Sequence, residues 1–172
     1  FPIDVAKAMV EAELGLPVDQ MFSEFSEPVA AASIAQVHRA RVAETGEEVA
    51  VKVLRPGIER AFRKDIDAFY LIARTIEIVA PSARRLRPMD VIAHFEGVVM
   101  GELDLRLEAA AASEFAENTR KDEGFQVPAP LWRLSGRQVL TLGWAEGVAL
   151  SDNAAIDAAG HDRAILGARV LS

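Results

Sequence analysis

The feature that most constrains the fold is one alternating stretch, Val49–Leu54, which reads VAVKVL. Side chains of a β-strand point to opposite faces in turn, so the three valines share one face while Ala50, Lys52 and Leu54 share the other. A lysine ammonium on such a face must be solvated, or paired with an acid or a bound anion, because its burial alone is too costly. A strand-edge lysine that reaches water is the alternative. The small Ala50 leaves a flat space beside Lys52 that suits a planar ring.

The same strand belongs to a predicted hairpin. β-Branched residues and alternation run from Phe25 to Leu54, and Thr45-Gly46 interrupts them with residues typical of a turn. Pro56-Gly57 then ends the pattern. We therefore expect two antiparallel strands joined at Thr45-Gly46.

Helical periodicity flanks this hairpin on both sides. Apolar residues recur at helical spacing from Ile3 to Leu16, where Gly15 and Pro17 give a stop signal. Two longer helical patterns follow the hairpin, and Asp90 is the predicted cap of the second. The predicted segments are an N-terminal helical extension over 1–17, strands over 24–54, an inserted helix over 58–80, a second long helix over 90–118, a strand with a connecting segment over 138–147, and further helices over 151–172.

Composition indicates the class of protein. The chain has 172 residues, of which 51% are hydrophobic, and this predicts a folded globular domain with one core. Its net charge of −7 argues against nucleic acid as a partner, because a nucleic-acid-binding face needs a basic excess. The sequence has no cysteine for disulfides or thiolate metal sites, which fits a reducing compartment. The most apolar run, 68–73, is far shorter than the roughly 20 residues of a bilayer span, so we expect a soluble segment.

Three motifs occur in this chain in a fixed order. They are the alanine-rich stretch Ala30–Ala40, the strand and turn from Val49 to Ile58, and the sequence ELDLRLE over Glu102–Glu108. Together they resemble the UbiB family of atypical protein-kinase-like proteins, a group linked to ubiquinone biosynthesis, and the resemblance covers nearly the whole chain. It implies an α+β fold, the N-lobe of a protein kinase, with an antiparallel sheet, an added N-terminal helix and two long helices.

The pattern of this family is expected to extend past both ends of the sequence. Its KxGQ segment would precede Phe1, and a C-terminal lobe with the catalytic aspartate, a metal-binding asparagine and a DFG-like aspartate would follow Ser172. The helices over 151–172 would begin that lobe. His161-Asp162-Arg163 superficially resembles a kinase catalytic loop with its letters rearranged, but no asparagine follows at the required spacing, so we interpret it as helix-forming sequence. We expect this segment alone not to catalyse phosphoryl transfer.

The resemblance implies roles for four charged residues. Lys52 falls at the kinase lysine that holds the α- and β-phosphates, and Glu108, on the helix packed behind the sheet, is the first choice for its partner acid. Glu102 and Asp104 resemble the ExD motif of the family, a regulatory motif associated with the N-terminal extension and with metal-nucleotide handling. On one continuous helix, Asp104 and Glu108 would share a face and Glu102 would pair with Arg106. The alternative is a set of ordinary surface pairs, each contributing roughly 0.2–0.5 kcal/mol.

Uncharged residues complete the nucleotide site that the resemblance implies. Ala30, Ala31, Ala32 and Ser33 replace the glycine-rich loop of kinases, and their backbone amides and the Ser33 hydroxyl would meet the phosphates. Alanine restricts positive φ, so this loop is expected to be stiffer than a glycine-rich one. A simple turn of small residues is the alternative. Ala50 would lie against the adenine ring, and backbone groups of the hinge would bond the adenine edge. The hinge residues are Leu142, Gly143, Trp144 and Ala145.

Three further features are interpreted from the residues themselves. Gly143 replaces the acidic residue expected at this point of the hinge. Trp144 is typical of a packing residue. His38 lies in an alternating strand with no second histidine or acid at ligand spacing, so we interpret it as structural or exposed. No side chain of this segment is predicted to bind a metal directly.

The combined prediction is an atypical kinase or ATPase that binds ATP or ADP with Mg²⁺ and supports ubiquinone biosynthesis, with this segment catalytically incomplete by itself. The resemblance implies quinone or isoprenoid lipid and proteins of a biosynthetic complex as further partners. It also implies that the parent protein is cytoplasmic and associates peripherally with the inner membrane. A noncatalytic nucleotide- or lipid-sensing scaffold of a membrane-associated biosynthetic complex is the alternative, and an α+β interaction domain is a third possibility.

Overall fold

An antiparallel sheet is the centre of the fold. The computed structural model describes residues 1–122 and 126–170, and in them four strands form one sheet in the order β1-β2-β3-β4. The predicted α+β class with an antiparallel sheet is confirmed. The strands are Phe22–Ala31 (β1), Ala35–Val42 (β2), Glu48–Leu54 (β3) and Val139–Gly143 (β4).

The prediction of two strands between Phe25 and Leu54 was wrong in number, since three strands occupy this part of the chain. The additional strand is β1, whose pairing with β2 shifts register three times between Phe22 and Ala30. Such shifts break the alternation of buried and exposed residues by which a strand is recognised. β1 therefore carries little signal in the sequence.

The turn between β2 and β3 lies where Thr45-Gly46 predicted it. Gly46 has a φ of 71°, in the left-handed region that glycine adopts without steric cost. Its N–H donates to the carbonyl of Val42 at 2.8 Å, and the N–H of Val42 donates to the carbonyl of Glu47 at 2.9 Å. These bonds fix the register of β2 against β3.

The valine face of β3 forms the back of the sheet. Val49, Val51 and Val53 have no exposed surface. Two N-terminal helices, α1 (Ile3–Leu14) and α2 (Val18–Met21), contribute to the same buried cluster. Full burial of a valine side chain contributes about 1.5–3 kcal/mol, so this face holds the N-terminal helices on the sheet.

The front of the sheet packs against a later helix, α5 (Leu105–Asn118). Leu54 and Leu140 of the sheet share a buried cluster with Leu105 and Ala109 of this helix. Ala109 is fully buried, and its small side chain lets the helix approach the sheet closely. The first turns of α5 are thereby held against the face that carries Lys52.

A helical hairpin is inserted between β3 and α5. The Tyr70 hydroxyl of its first helix donates to the Glu96 carboxylate of its second helix at 2.8 Å. Phe69 and Phe95 meet edge to face, with ring centroids 6.1 Å apart. These contacts hold the two helices side by side. The hairpin consists of α3 (Ile58–Val79), a 3₁₀ turn (Pro81–Leu86) and α4 (Pro88–Glu102).

The prediction of one long helix over 90–118 was wrong. α4 ends at Glu102 and α5 begins at Leu105, so Leu103 and Asp104 separate two helices. Asp104 has φ −116° and ψ 93°, an extended conformation typical of a residue that caps a new helix. Leu103 and Leu105 are both buried in the front cluster, so apolar residues continue through the break and hide it in the sequence.

The start of α4 also differs from the prediction. Pro88 takes the first helical position and Arg87 precedes it, so Asp90 lies inside the first turn and is not the cap. Proline suits the first position because its fixed φ is already helical and the N–H that it lacks would have no partner there. Asp90 instead pairs with Arg87, with 2.5 Å between nitrogen and oxygen.

Two short helices, α6 (Asn153–Ala158) and α7 (Arg163–Val170), end the described chain. Asp162 accepts a hydrogen bond from the backbone N–H of Ile165 at 3.3 Å, as a helix cap does, which agrees with the interpretation of His161-Asp162-Arg163 as helix-forming sequence. Leu171 and Ser172, which the prediction includes in the last segment, lie outside the described residues. Among the helices of the described part, none has the length and apolar character to cross a membrane.

Candidate functional site

Lys52 lies in the middle of β3, on the front of the sheet, with 29% of its side chain exposed. Its Nζ is 2.5 Å from Oε2 of Glu108, a residue 56 positions further along the chain. Of the two possibilities left open by the sequence, a solvated lysine or a paired one, the structure shows the paired one. Both partners remain in contact with water, so the pair contributes only about 0–1 kcal/mol to folding. Its main effect is to fix the direction of the ammonium group.

Glu108 is positioned by the start of α5. Leu105 and Ala109, on the buried side of this helix, hold its first turns against the sheet. The N–H of Leu105 donates to the carbonyl of Arg137 at 2.9 Å, which ties the start of α5 to the turn that precedes β4. Glu108 therefore reaches Lys52 while 46% of its side chain stays exposed.

Asp104 caps α5 and pairs with Arg106. Its Oδ1 accepts the backbone N–H of Arg106 at 3.1 Å, and the Arg106 guanidinium donates to both carboxylate oxygens, at 2.8 and 2.5 Å. The side-chain bonds from Arg106 are the main cause that lowers the pKa of Asp104 below its ordinary value of 3.8. Asp104 is therefore held as an anion at the N-terminus of α5, where the helix dipole also favours negative charge.

The pairing predicted for these acids was wrong. On a continuous helix, Glu102 would meet Arg106, but Arg106 pairs with Asp104. The break after Glu102 is the cause, because it removes Asp104 from helical geometry and starts a new helix whose side chains follow a different phase. Glu102, Asp104 and Glu108 still border one groove of about 460 Å³ between α4 and α5.

This groove does not form a metal site by itself. Lys52 engages Glu108, and Arg106 engages Asp104. Across residues 1–122 and 126–170, no group of three or more histidine, aspartate or glutamate side chains is arranged to hold a metal ion. Mg²⁺ is usually held by one or two carboxylates together with phosphate oxygens and water. The residues present therefore do not fit a resident Mg²⁺ held by this chain alone.

An apolar patch lies beside the ion pair on the front of the sheet. In the strand register, Val37 is opposite Lys52, and Leu142 is opposite Ala50. Directly opposed residues of antiparallel strands point to the same face. Val37, Ala50 and Leu142 are all partly exposed, so the patch is accessible next to Lys52.

Val37 is a member of this patch that the sequence reasoning missed. The alternation along β2 indicates which of its residues share a face. The residue of β3 that lies opposite each of them, however, depends on the length of the β2–β3 turn. A two-residue turn at Thr45-Gly46 predicts a different register from the observed loop, which is closed by bonds between Val42 and Glu47. The longer loop is what brings Val37 opposite Lys52.

The alanine-rich loop is shorter than predicted. Ala30 and Ala31 belong to β1, where both pair with β2. Ala32 and Ser33 lie in the connection, and the N–H of Ala32 donates to the carbonyl of Ala35 at 2.8 Å. Of the four residues predicted to meet phosphates, Ala32 and the exposed Ser33 are therefore the ones with loop backbone.

The predicted hinge begins at the end of β4. The N–H of Gly143 donates to the carbonyl of Ala129, and that of Trp144 to the carbonyl of Glu48, each at 3.0 Å. These two donors are therefore used within the protein. The N–H of Ala145 has no acceptor in the described parts of the chain.

Trp144 packs against a strand residue, in agreement with its interpretation from the sequence. The guanidinium carbon of Arg39 lies 4.7 Å from the centroid of the Trp144 ring, a cation–π contact. Arg39 and Arg41 both pair with Glu48, and the bond from Arg39 is the largest cause that lowers the pKa of Glu48. This cluster of charges lies on the two central strands, β2 and β3, next to the hinge residue Trp144.

His38 is a structural residue, which confirms one of the two interpretations given above. It lies on the back of the sheet with no exposed surface. Its Nδ1 is 2.9 Å from the carbonyl oxygen of Ser26, and its ring stacks on Phe25 with centroids 4.8 Å apart. Burial lowers the pKa of His38 below 6.5, so the neutral ring is the form that fits the core.

The whole chain, residues 1–172, matches the ABC1 atypical kinase-like domain. It is also similar to several proteins named probable protein kinase UbiB. The identity to the Marinobacter nauticus protein is 38% over 167 residues, which cover 96% of this chain and 30% of that protein. For the Pseudomonas putida protein it is 41% over 158 residues, covering 90% of this chain and 29% of that protein. For the Azotobacter vinelandii protein it is 42% over 163 residues, covering 94% and 30%.

The chain thus spans about 30% of the length of these relatives. Its fold agrees with the match, because a strand lysine paired with a glutamate of the neighbouring helix is typical of a kinase N-lobe. Lys52 on β3 and Glu108 on α5 form such a pair. The chain belongs to the ABC1 atypical kinase-like domain family.

Proposed function

We propose that the protein carrying this chain is an atypical kinase or ATPase that binds ATP or ADP with Mg²⁺ and supports ubiquinone biosynthesis. The observation that carries the proposal is the ion pair between Lys52 and Glu108 on the front of the sheet. In protein kinases, a lysine of the third strand binds the α- and β-phosphates, and a glutamate of the adjacent helix orients it. This chain then supplies the N-terminal lobe of a nucleotide site.

The role proposed for Lys52 is electrostatic. Its backbone is fixed in the middle of a sheet, and Glu108 fixes the direction of its ammonium group. Two opposite unit charges 4 Å apart near a protein surface attract each other by roughly 4 kcal/mol. In a chain with a net charge of −7, a polyphosphate needs such a local cation. Glu108 acts through Lys52 and is therefore a positioning residue.

The patch of Val37, Ala50 and Leu142 is proposed to hold the adenine ring. Its members share one face of the sheet and are partly exposed beside Lys52. The small side chain of Ala50 leaves room for a flat ring between the larger neighbours. Ala145, whose N–H has no acceptor among the described residues, is the hinge residue best placed to bond the adenine edge.

Mg²⁺ would neutralise phosphate charge during transfer. Because the acids of this chain do not form a metal site alone, we assign its remaining ligands to the nucleotide and to the parts of the relatives that this chain does not span. Asp104 contributes indirectly, since it caps the helix that carries Glu108. The segment by itself is therefore proposed to bind and orient the nucleotide and to leave catalysis incomplete.

Nucleotide turnover by the full-length protein tests this proposal. Lys52→Met keeps an unbranched side chain of similar size and removes its charge, so it should weaken Mg-ATP binding and abolish phosphate release. Lys64→Met changes an exposed lysine on α3 in the same way and is the matched control. Turnover that survives Lys52→Met would contradict the proposal.

A noncatalytic nucleotide- or lipid-sensing scaffold of a membrane-associated complex is the second candidate. The observation that favours it is the apolar surface of the helical hairpin, where Leu71, Ile78, Val79 and Leu86 are between 67% and 76% exposed. Such a surface suits a quinone, an isoprenoid lipid, a protein partner or peripheral contact with the inner membrane. Binding of Mg-nucleotide without turnover, with recovery of the protein on lipid vesicles, would favour this candidate.

A further inference from the structure

Arg55 fixes the connection between β1 and β2. It directly follows β3, and its guanidinium donates to the carbonyl of Ala32 through Nε at 3.4 Å and Nη2 at 3.2 Å. Its backbone N–H donates to the carbonyl of Ile34 at 2.8 Å. Side chain and backbone of one residue thus hold two successive parts of the loop.

The bond to Ala32 determines the direction of the next amide. A trans peptide is planar, so the carbonyl of Ala32 and the N–H of Ser33 point to opposite sides. When Arg55 holds that carbonyl, it holds the Ser33 N–H facing away from Arg55. Within residues 1–122 and 126–170, no acceptor takes up the Ser33 N–H. One backbone donor of the loop is therefore fixed in direction and available.

We infer that Arg55 is a positioning residue that directs the Ser33 N–H at the polyphosphate of a bound nucleotide. This inference rests on the proposed function. The alanine-rich loop has no glycine that could rotate freely to bring an amide toward a phosphate. In a glycine-rich loop, the flexible backbone itself turns an amide toward the phosphate. In this loop, the Arg55 side chain is therefore needed to orient the amide. Arginine suits it because its rigid fork offers several N–H donors to one acceptor.

The arrangement predicts that the Arg55 side chain can be replaced without loss of the fold. The bond from the Arg55 backbone to Ile34 and the bond from Ala32 to Ala35 involve only backbone atoms, so both can remain when the Arg55 side chain is truncated. The side-chain bonds are solvent-exposed, so their loss leaves no buried group without a partner. Arg55→Ala should therefore free the Ala32–Ser33 peptide without unfolding the sheet.

The experiment measures binding of three ligands to the full-length protein by calorimetry: adenosine, Mg-ADP and Mg-ATP. With Arg55→Ala, we expect about tenfold weaker binding of Mg-ADP and Mg-ATP, the effect of one lost hydrogen bond to a charged group, and unchanged binding of adenosine. Arg55→Lys, which keeps a cation but not the fork, should fall between. Arg63→Ala is the matched control, because Arg63 pairs with Glu59 of its own helix.

Hydrogen exchange provides a second measurement. With Mg-ATP bound, the Ser33 amide should be protected in the wild type and less protected in Arg55→Ala, while the amides of β2 and β3 keep their protection in both proteins. If Arg55→Ala does not fold, Arg55→Lys gives the same comparison. Equal weakening of adenosine and Mg-ATP, or no change in either, would overturn the role of Arg55. Wild-type protein that binds none of the three ligands would overturn the proposed function itself, and the inference with it, before any variant is compared.

Discussion

Glu13 of α1 and Arg137, which precedes β4, are joined by a hydrogen bond from the backbone N–H of Arg137 to the Glu13 carboxylate. The same carboxylate oxygen accepts the N–H of Gln138 at 3.3 Å. On its other side, the carbonyl of Arg137 accepts the N–H of Leu105 at 2.9 Å. One short turn therefore connects α1, on the back of the sheet, with the start of α5, the helix that carries Glu108.

Gly136 is expected to be essential to this connection. A Cβ atom at this position would lie 2.8 Å from Cγ and 2.9 Å from Cδ of Glu13, closer than non-bonded atoms approach. Glu13 cannot move away without giving up its bonds to the turn. We expect Gly136→Ala to lower the free energy of unfolding by about 1–3 kcal/mol, measured by denaturant unfolding of the full-length protein.

Two comparisons make this prediction specific. A Cβ at Gly97, inside α4, would meet no atom within 4 Å, so Gly97→Ala should raise the free energy of unfolding by about 0.5–1 kcal/mol. In a Glu13→Ala background the clash is absent, and Gly136→Ala should then cost much less. An equal loss in both backgrounds would show that contact with Glu13 is not the cause.

Glu108→Gln tests the partner of Lys52. The amide keeps the shape of the side chain but loses the charge that directs the ammonium, so we expect Mg-ATP to bind about tenfold more weakly. The free energy of unfolding should change by less than about 1 kcal/mol, because both partners are exposed to solvent. Titration calorimetry and denaturant unfolding measure the two effects. Glu114→Gln, on an exposed position of the same helix, is the control. Unchanged affinity in Glu108→Gln would remove Glu108 from the nucleotide site.

The pair of Lys52 and Glu108 shows how far the sequence could predict this site. The place of Lys52 on one face of β3 follows from alternation alone, since the valines that flank it are all buried. Glu108 was chosen from the family resemblance, and the structure brings it to Lys52. Spacing alone could not have selected it, because the contact depends on packing between α5 and the sheet across 56 residues of chain.

The break between α4 and α5 could not be predicted in the same way. Leu103 and Leu105 keep the segment apolar, and Asp104 looks like an ordinary helix residue until its surroundings are known. What ends α4 there is a bond from Leu105 to Arg137, a residue far along the chain, together with the cap that Asp104 forms. Local propensity carries no information about such a distant partner.

Protonation of His38 should make the protein less stable in mild acid. Its folded-state pKa lies below the ordinary value of 6.5, so the unfolded chain takes up a proton at higher pH than the folded one. Stability contributed by neutral His38 is therefore complete above about pH 6.5 and is lost as the pH falls below that value. We expect the free energy of unfolding to decrease from pH 7 toward pH 5 by up to about 1.4 kcal/mol per pH unit.

His38→Gln should flatten this pH dependence, because an amide does not titrate and still has an N–H to donate to Ser26. His94→Gln, at an exposed position of α4, serves as the control and should leave the slope as it is in the wild type. Denaturant unfolding across the pH range gives the slope for each protein. A slope that persists unchanged in His38→Gln would assign the effect to another group.

Asp104 should affect both stability and nucleotide binding, because it caps the helix that carries Glu108. Asp104→Ala removes the cap and the pair with Arg106, and we expect a loss of about 0.5–2 kcal/mol in the free energy of unfolding. Asp104→Asn keeps a capping oxygen and should lose less. The pKa of Asp104 lies below its ordinary 3.8, so the charge contributes stability above that pH and the contribution is lost as the pH falls through the folded-state pKa. The difference between wild type and Asp104→Asn should therefore shrink below about pH 3.8.

Asp152 offers a matched control, since its carboxylate caps α6 by accepting the N–H of Ala155 at 3.0 Å. Asp152→Ala should also lower stability, but it should leave the affinity for Mg-ATP unchanged, because α6 does not carry a partner of Lys52. Asp104→Ala should weaken Mg-ATP binding as the first turn of α5 frays and Glu108 loses its fixed position. If Asp104→Ala and Asp152→Ala changed the affinity for Mg-ATP equally, each cap would act only through the overall stability of the protein. The position of Glu108 on α5 would then not be what orients Lys52.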